Sequence, residues 1–137
     1  FSLRARDRPV VLRSIDVFSA EAGIKRVVVF TRPGPYAGHA TTPEAWTSVY
    51  NNQNVLRGSA TEATTLALNN QQGVAVPAGG EASFFVFTNL RLRCRNGTEA
   101  GLLAADDAFL ELYQGTAVEK KWAGGADPLA FRGRFQY

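Results

Sequence analysis

A chain of 137 residues with 45% hydrophobic and 20% charged residues has the size and composition of one globular domain, which excludes disordered, collagen-like and coiled-coil classes. Its 15 basic and 12 acidic residues leave a net charge of +3, and its single Cys excludes an internal disulfide or a paired-Cys metal site. No apolar run approaches the roughly 18 residues that a membrane-spanning helix needs.

The chain begins at Phe1 and contains no Met, which reads as a processed product that has lost a targeting peptide and works outside the cytoplasm. Residues 1–5 alternate, and residues 10–18 set Val11, Ile15 and Val17 on one side with Arg13 between them. Residues 25–31 form a Val-rich run that reads as a third strand. Residues 32–42 hold two Pro, two Gly and the only His, His39, and read as a long connection. Thr42, Pro43 and Glu44 then suggest a single helical turn with Thr42 as its N-cap.

Short strands are expected around residues 46–50, 54–58, 64–68 and 74–76. Pro77, Ala78, Gly79 and Gly80 spell a tight turn, followed by one long strand over residues 81–94. There Phe84, Val86, Leu90, Leu92 and Cys94 share one parity, and Phe85, Phe87, Arg91, Arg93 and Arg95 the other, so Cys94 is expected to point inward. Asn96-Gly97 marks a turn, and residues 108–113 and 129–137 complete the strands. The last places Leu129, Phe131, Phe135 and Tyr137 opposite Arg132, Arg134 and Gln136. Short alternating segments punctuated by Gly, Pro, Asn and Asp predict an all-β domain over residues 1–137. The expected form is an antiparallel two-sheet sandwich, jelly-roll or Ig-like, of about eight to ten strands with at most one or two helical turns.

The order of landmarks resembles a family of small secreted β-sandwich domains. These occur in predicted cell-surface proteins of bacteria with sorting-type C-termini and of algae. The likeness is carried by Phe30-Thr31, Gly34, Tyr36 and Gly38, then Pro43, Trp46 and Thr47, then Val76 to Gly79 and Phe84 to Val86. It continues through Leu90-Arg91, Asn96-Gly97, Gly101, Asp107, Leu110, Leu112, Tyr113 and Gly115 to Phe131, Gly133 and Tyr137. The resemblance implies a sandwich and a surface location, and it brings no activity or site residues.

Site chemistry is sparse. His39 is the only histidine and lies in a Pro/Gly-rich loop without a local orienting group, so a solvated loop residue is expected rather than a catalytic base. Gly79-Gly80 and Gly124-Gly125 lack the spacing of a phosphate-cradling loop, which argues against nucleotide enzymes. Asp106 and Asp107, with Glu99, Glu111 or Asp127, form the acidic concentration, a weak calcium candidate or the only basis for a carboxylate-dependent hydrolase. Asn96 heads an Asn-Gly-Thr sequon, a glycosylation candidate in a secreted protein.

The basic residues comprise twelve Arg and three Lys, and the Arg recur at period two: Arg4, Arg6, Arg8; Arg91, Arg93, Arg95; Arg132, Arg134. On strands each set shares a face, and neighbouring strands would merge them into a stripe for anionic groups. Trp46, Tyr50, Tyr36 and Trp122 are the candidate sugar-stacking aromatics, with Trp46 expected in the core. The leading expectation is a non-catalytic extracytoplasmic module, without cofactor, that binds an anionic glycan or acidic protein surface through Arg91, Arg93, Arg95, Arg132, Arg134 and Trp122. The alternative is a structural subunit docking into a larger assembly through its sheet faces, and a hydrolase comes third. The small net charge and the lack of an RNA-binding strand motif argue against nucleic acid.

Overall fold

In a computed structural model of the chain, residues 1–89, 91–117, 121–123, 125 and 127–137 are described, with Val55 by its backbone alone. Leu90 and Gly124, named above, lie outside the described residues. The domain is all-β, and two layers of antiparallel strands enclose one core.

The first layer is a six-stranded sheet. It contains β1 (Ser2–Ala5), β4 (Ala22–Pro33), β5 (Thr47–Arg57), β8 (Glu81–Thr88), β10 (Leu103–Asp106) and β11 (Leu110–Tyr113). Their order is β10-β11-β1-β8-β4-β5, so the N-terminal strand lies in the middle. The second layer consists of smaller pieces. One pairs β2 (Val10–Leu12) with β7 (Val74–Val76), and another orders β14 (Gly133–Gln136), β3 (Ser14–Val17) and β6 (Thr64–Ala67). The third orders β12 (Gly115–Thr116), β13 (Pro128–Phe131) and β9 (Cys94–Asn96).

Alternation along these strands fills the core from both sides. Leu3, Val27, Val29, Leu56, Phe84 and Leu110 come from the six-stranded sheet, and Val10, Leu12, Ile15, Val17, Leu66 and Val76 from the facing layer. The Phe1 ring stacks on Phe131 and Phe84 at centroid distances of 4.5 and 5.6 Å and closes one end.

Fourteen strands are present among the described residues where eight to ten were expected, because continuous period-two runs are cut at corners. Arg13 alone separates β2 from β3, and the two belong to different sheets. The corner reverses parity: Val10 and Leu12 are buried and Val11 is exposed, whereas Ile15 and Val17 face the core. Val11 therefore does not share a side with Ile15 and Val17. Arg132 is a second such corner, between β13 and β14. The segments expected at 46–50 and 54–58 are one strand, β5, and the short β10 and β12 were not expected.

The largest departure concerns residues 81–94. Parity holds within β8, where Phe84 and Val86 face the core and Phe85 and Phe87 the opposite side. At Asn89 the chain bends, and β9 resumes in another sheet. The Arg91, Arg93, Arg95 set is therefore not the face of one strand. Cys94 is exposed, not inward, because it lies on edge strand β9. Desolvation by the surrounding chain nonetheless pushes its thiol pKa up, partly opposed by the Phe1 ammonium, which favours the unreactive protonated form.

Two short 3-10 turns are present among the described residues, Pro43–Ala45 and Leu68–Gln71, the second kinked with Asn69 and Asn70 in the left-handed region. Pro43 begins the first as expected, but the Thr42 side chain makes no capping bond. Trp46, expected in the core, is half-buried outside it: the Trp46 and Phe85 rings lie 6.2 Å apart on the outer side of the six-stranded sheet.

Candidate functional site

The arginine sets meet through backbone pairing that links the corners of the second layer. Beyond β3, the Phe18 carbonyl accepts from Arg93 N at 2.7 Å, and Ala20 N donates to the Arg91 carbonyl at 2.8 Å. Between them Ser19 bridges to Leu92. This clamp lays the 91–93 segment against residues 18–20. The C-terminal strand arrives from the other side, with Gly133 opposite Val17 and Arg134 opposite Asp16.

Phe18 is the centre of the arrangement. It is only 6% exposed, yet it lies outside the central core cluster, on the outward parity of Ser14 and Asp16. The guanidinium carbons of Arg132 and Arg134 lie 5.9 and 6.0 Å from its ring centroid, within cation–π range. Arg93 Nε donates to the Ser19 carbonyl at 3.1 Å. Among the described residues none of Arg91, Arg93, Arg132 and Arg134 forms an ion pair, whereas Arg6 pairs with Asp106 and Glu111, and Arg57 with Glu62. The nearest acid in register, Asp16, accepts from the Thr65 hydroxyl at 2.6 Å. Planar guanidiniums held at one place offer bidentate donors to carboxylates or sulfates.

Arg95 makes no contact with Phe18 but stays beside two of these arginines. Paired with Ala130 on β13, it lines an open groove of about 350 Å3 that Arg132 and Arg134 also line, together with Asp106, Asp107 and Tyr137, so that opposite charges share the groove. The acids there are engaged. Asp106 pairs with Arg6. Asp107 accepts from Phe109 N and Leu110 N at 2.8 and 2.9 Å and from the Tyr137 hydroxyl at 2.6 Å. Partial desolvation alone would raise the Asp107 pKa, but these bonds and the charge of Arg6 hold it below its ordinary value. The same contact pushes the Tyr137 phenol up to about 12. Among the described residues no group of three or more His, Cys, Asp or Glu side chains gathers to hold a metal ion, so Asp106 and Asp107 stand apart from Glu99 and Asp127 as a calcium cluster.

Trp122 is half-buried, not a free stacking surface. Its ring lies 4.9 Å from Phe30 and 5.2 Å from Phe85, with Trp46 at 6.3 Å, and Lys121 Nζ lies 4.6 Å above Phe30. It covers an aromatic cluster on the outer side of the six-stranded sheet, on the layer opposite the arginines. Trp46 is anchored there by its indole N–H, which donates to the His39 carbonyl at 2.8 Å. Asn96 is exposed at the end of β9, with Thr98 exposed beside it.

The structure thus brings Arg93 together with Arg132 and Arg134 around Phe18, sets Arg95 in a groove that Arg132 and Arg134 also line, and separates Trp122 from them; Arg91 joins by its backbone alone. Reading of residues 10–18 missed Phe18 as the organising residue. The signal was present in the outward parity of Ser14, Asp16 and Phe18, where a large aromatic among polar neighbours requires a cover. Compared with models of protein families, with curated proteins and with solved structures, the chain matches none.

Proposed function

We propose that this domain is a non-catalytic binding module that works outside the cytoplasm and recognises an acidic glycan through the arginines gathered around Phe18. The observation that carries the reading is the convergence of Arg93, Arg132 and Arg134 on Phe18 and Ser19, with no ion pair to them among the described residues. Elsewhere Arg6 and Arg57 meet neighbouring carboxylates. Clustered positive charge on a fixed framework steers a polyanion and lets a planar donor meet carboxylate or sulfate in two bonds. The test is retention on immobilised heparin and on polygalacturonate across a salt gradient. Retention that falls steadily with salt is expected. Elution with the void volume at low salt from both columns overturns the proposal.

A second reading, a subunit that docks into a larger assembly, draws on a different surface. Leu102 and Leu103, 46% and 50% exposed, lie at the start of edge strand β10. Analytical ultracentrifugation over a wide concentration range separates the two, since self-docking through β10 gives concentration-dependent association.

A further inference from the structure

Between β1, β8 and β11 the outer side of the six-stranded sheet holds an open groove of about 640 Å3, within the usual range of small-molecule sites. Its floor is rigid backbone. Leu3 and Ala5 enter the core, so Ser2 and Arg4 face outward into the groove. Register sets Arg4 directly opposite Glu81 on one side and Glu111 on the other. Neighbouring strands lie about 4.8 Å apart, so an acid, a base and an acid form a row across roughly 10 Å.

Two aromatic side chains line the same groove. Tyr113 donates its hydroxyl to Glu111 Oε2 at 2.7 Å. Tyr36 enters from the 33–46 loop, and desolvation raises its pKa. The loop is pinned to the sheet: Gly34 N donates to the Glu81 carbonyl at 2.7 Å, and Ser83 Oγ donates to the Gly34 carbonyl at 2.7 Å. The opposite wall, Ala100-Gly101, hangs on Gln114, whose carbonyl accepts from Gly101 N at 2.9 Å. A Cβ added at Gly38, Gly79 or Gly101 would meet nothing within 4 Å, so the rim is low and open.

Charge selects the ligand. Arg4 is balanced by Glu81, and Glu111 faces Arg6 at 3.6 Å, so the groove carries no net field for a polyanion. Alternating carboxylates and a guanidinium, with two phenol rings and a backbone rim, match vicinal hydroxyls set on apolar ring faces. We infer that this groove is a second binding site, for a neutral saccharide, on the layer opposite the arginine cluster.

The experiment is ligand-observed NMR and calorimetry of the whole chain with neutral xylo-, manno-, gluco- and galacto-oligosaccharides, alongside Arg4→Gln and Glu81→Gln. Glu81→Gln keeps side-chain size, and Arg4→Gln shortens an exposed side chain. The expected result is binding of at least one series with little salt dependence. Each variant should weaken it by about tenfold or more, roughly 1.4 kcal/mol, and leave heparin retention at the wild-type value. Should one variant fail to fold, the other carries the same test. No binding of any series at millimolar concentration overturns the inference, as does equal binding by a folded variant. Loss of heparin retention in the wild type instead bears on the arginine cluster alone.

Discussion

Replacing Arg132 and Arg134 together by Gln tests whether these side chains serve a partner, the fold, or both. Each guanidinium lies about 6 Å from the Phe18 centroid, where cation–π attraction is worth roughly 0.5–1 kcal/mol at a partly exposed site. The double change should therefore cost about 1–2 kcal/mol. Relief of repulsion among the clustered arginines offsets little of this at physiological salt. For a chain of 137 residues, with an unfolding entropy of roughly 2.1 cal/mol/K per residue, that corresponds to a fall in Tm of about 3–7 °C. The matching Lys pair keeps the charge and loses the planar face, so it should lose a similar few degrees yet stay bound to heparin. Calorimetry and a salt-gradient column read the two effects separately. Wild-type retention by the Gln pair would refute the partner role, and wild-type melting of both pairs would refute the stacking.

Gly133→Ala should lower Tm by about 10 °C, since an added Cβ meets the Asp16 carbonyl oxygen at 2.2 Å and overpacking of this kind costs roughly 3 kcal/mol; melting within a degree or two of the wild type would contradict that close approach. Asp107 has a folded pKa below the ordinary 3.8, so its ionised form stabilises the fold above that value and the contribution is lost as pH falls through the folded pKa. The stability gap between wild type and Asp107→Asn, followed by denaturant unfolding, should thus close as pH falls below about 4, and a gap independent of pH would count against the assignment.

The layers, the helical turn at Pro43 and the inward set Ile15, Val17, Phe84 and Val86 were legible in the sequence, because alternation within a strand is a local property of the pleat, whereas the turn at Leu68–Gln71 was not foreseen. Sheet membership is not local. Nothing in residues 81–94 announces the bend at Asn89, since a period-two pattern runs on through a corner while the backbone changes partners. Those partners are distant: β8 pairs with β1 and β4, and β9 with β13. The same blindness merged Arg91, Arg93 and Arg95 into one face and misplaced Val11 across the Arg13 corner. The gathering of Arg93 with Arg132 and Arg134 depends on where Phe18 lies, and only the pairing of β3 with β14 fixes that. Arg4, Glu81 and Glu111 belong to three separate segments, and their row exists only once register is known.

The place of β1 in the six-stranded sheet sets the order in which the molecule can be finished. Ser2 pairs with Ser83 on one edge and with Tyr113 on the other, so the first residues of the sequence wait for partners far along the chain. Closing such long loops must precede any reward from the contacts they permit, which places folding toward the millisecond-to-second range typical of β-sandwiches. Until β8 and β11 are both in position, β1 is an extended segment with two open edges and an apolar stripe of Leu3 and Ala5. A companion that shields one short strand during that interval would govern the yield of native protein.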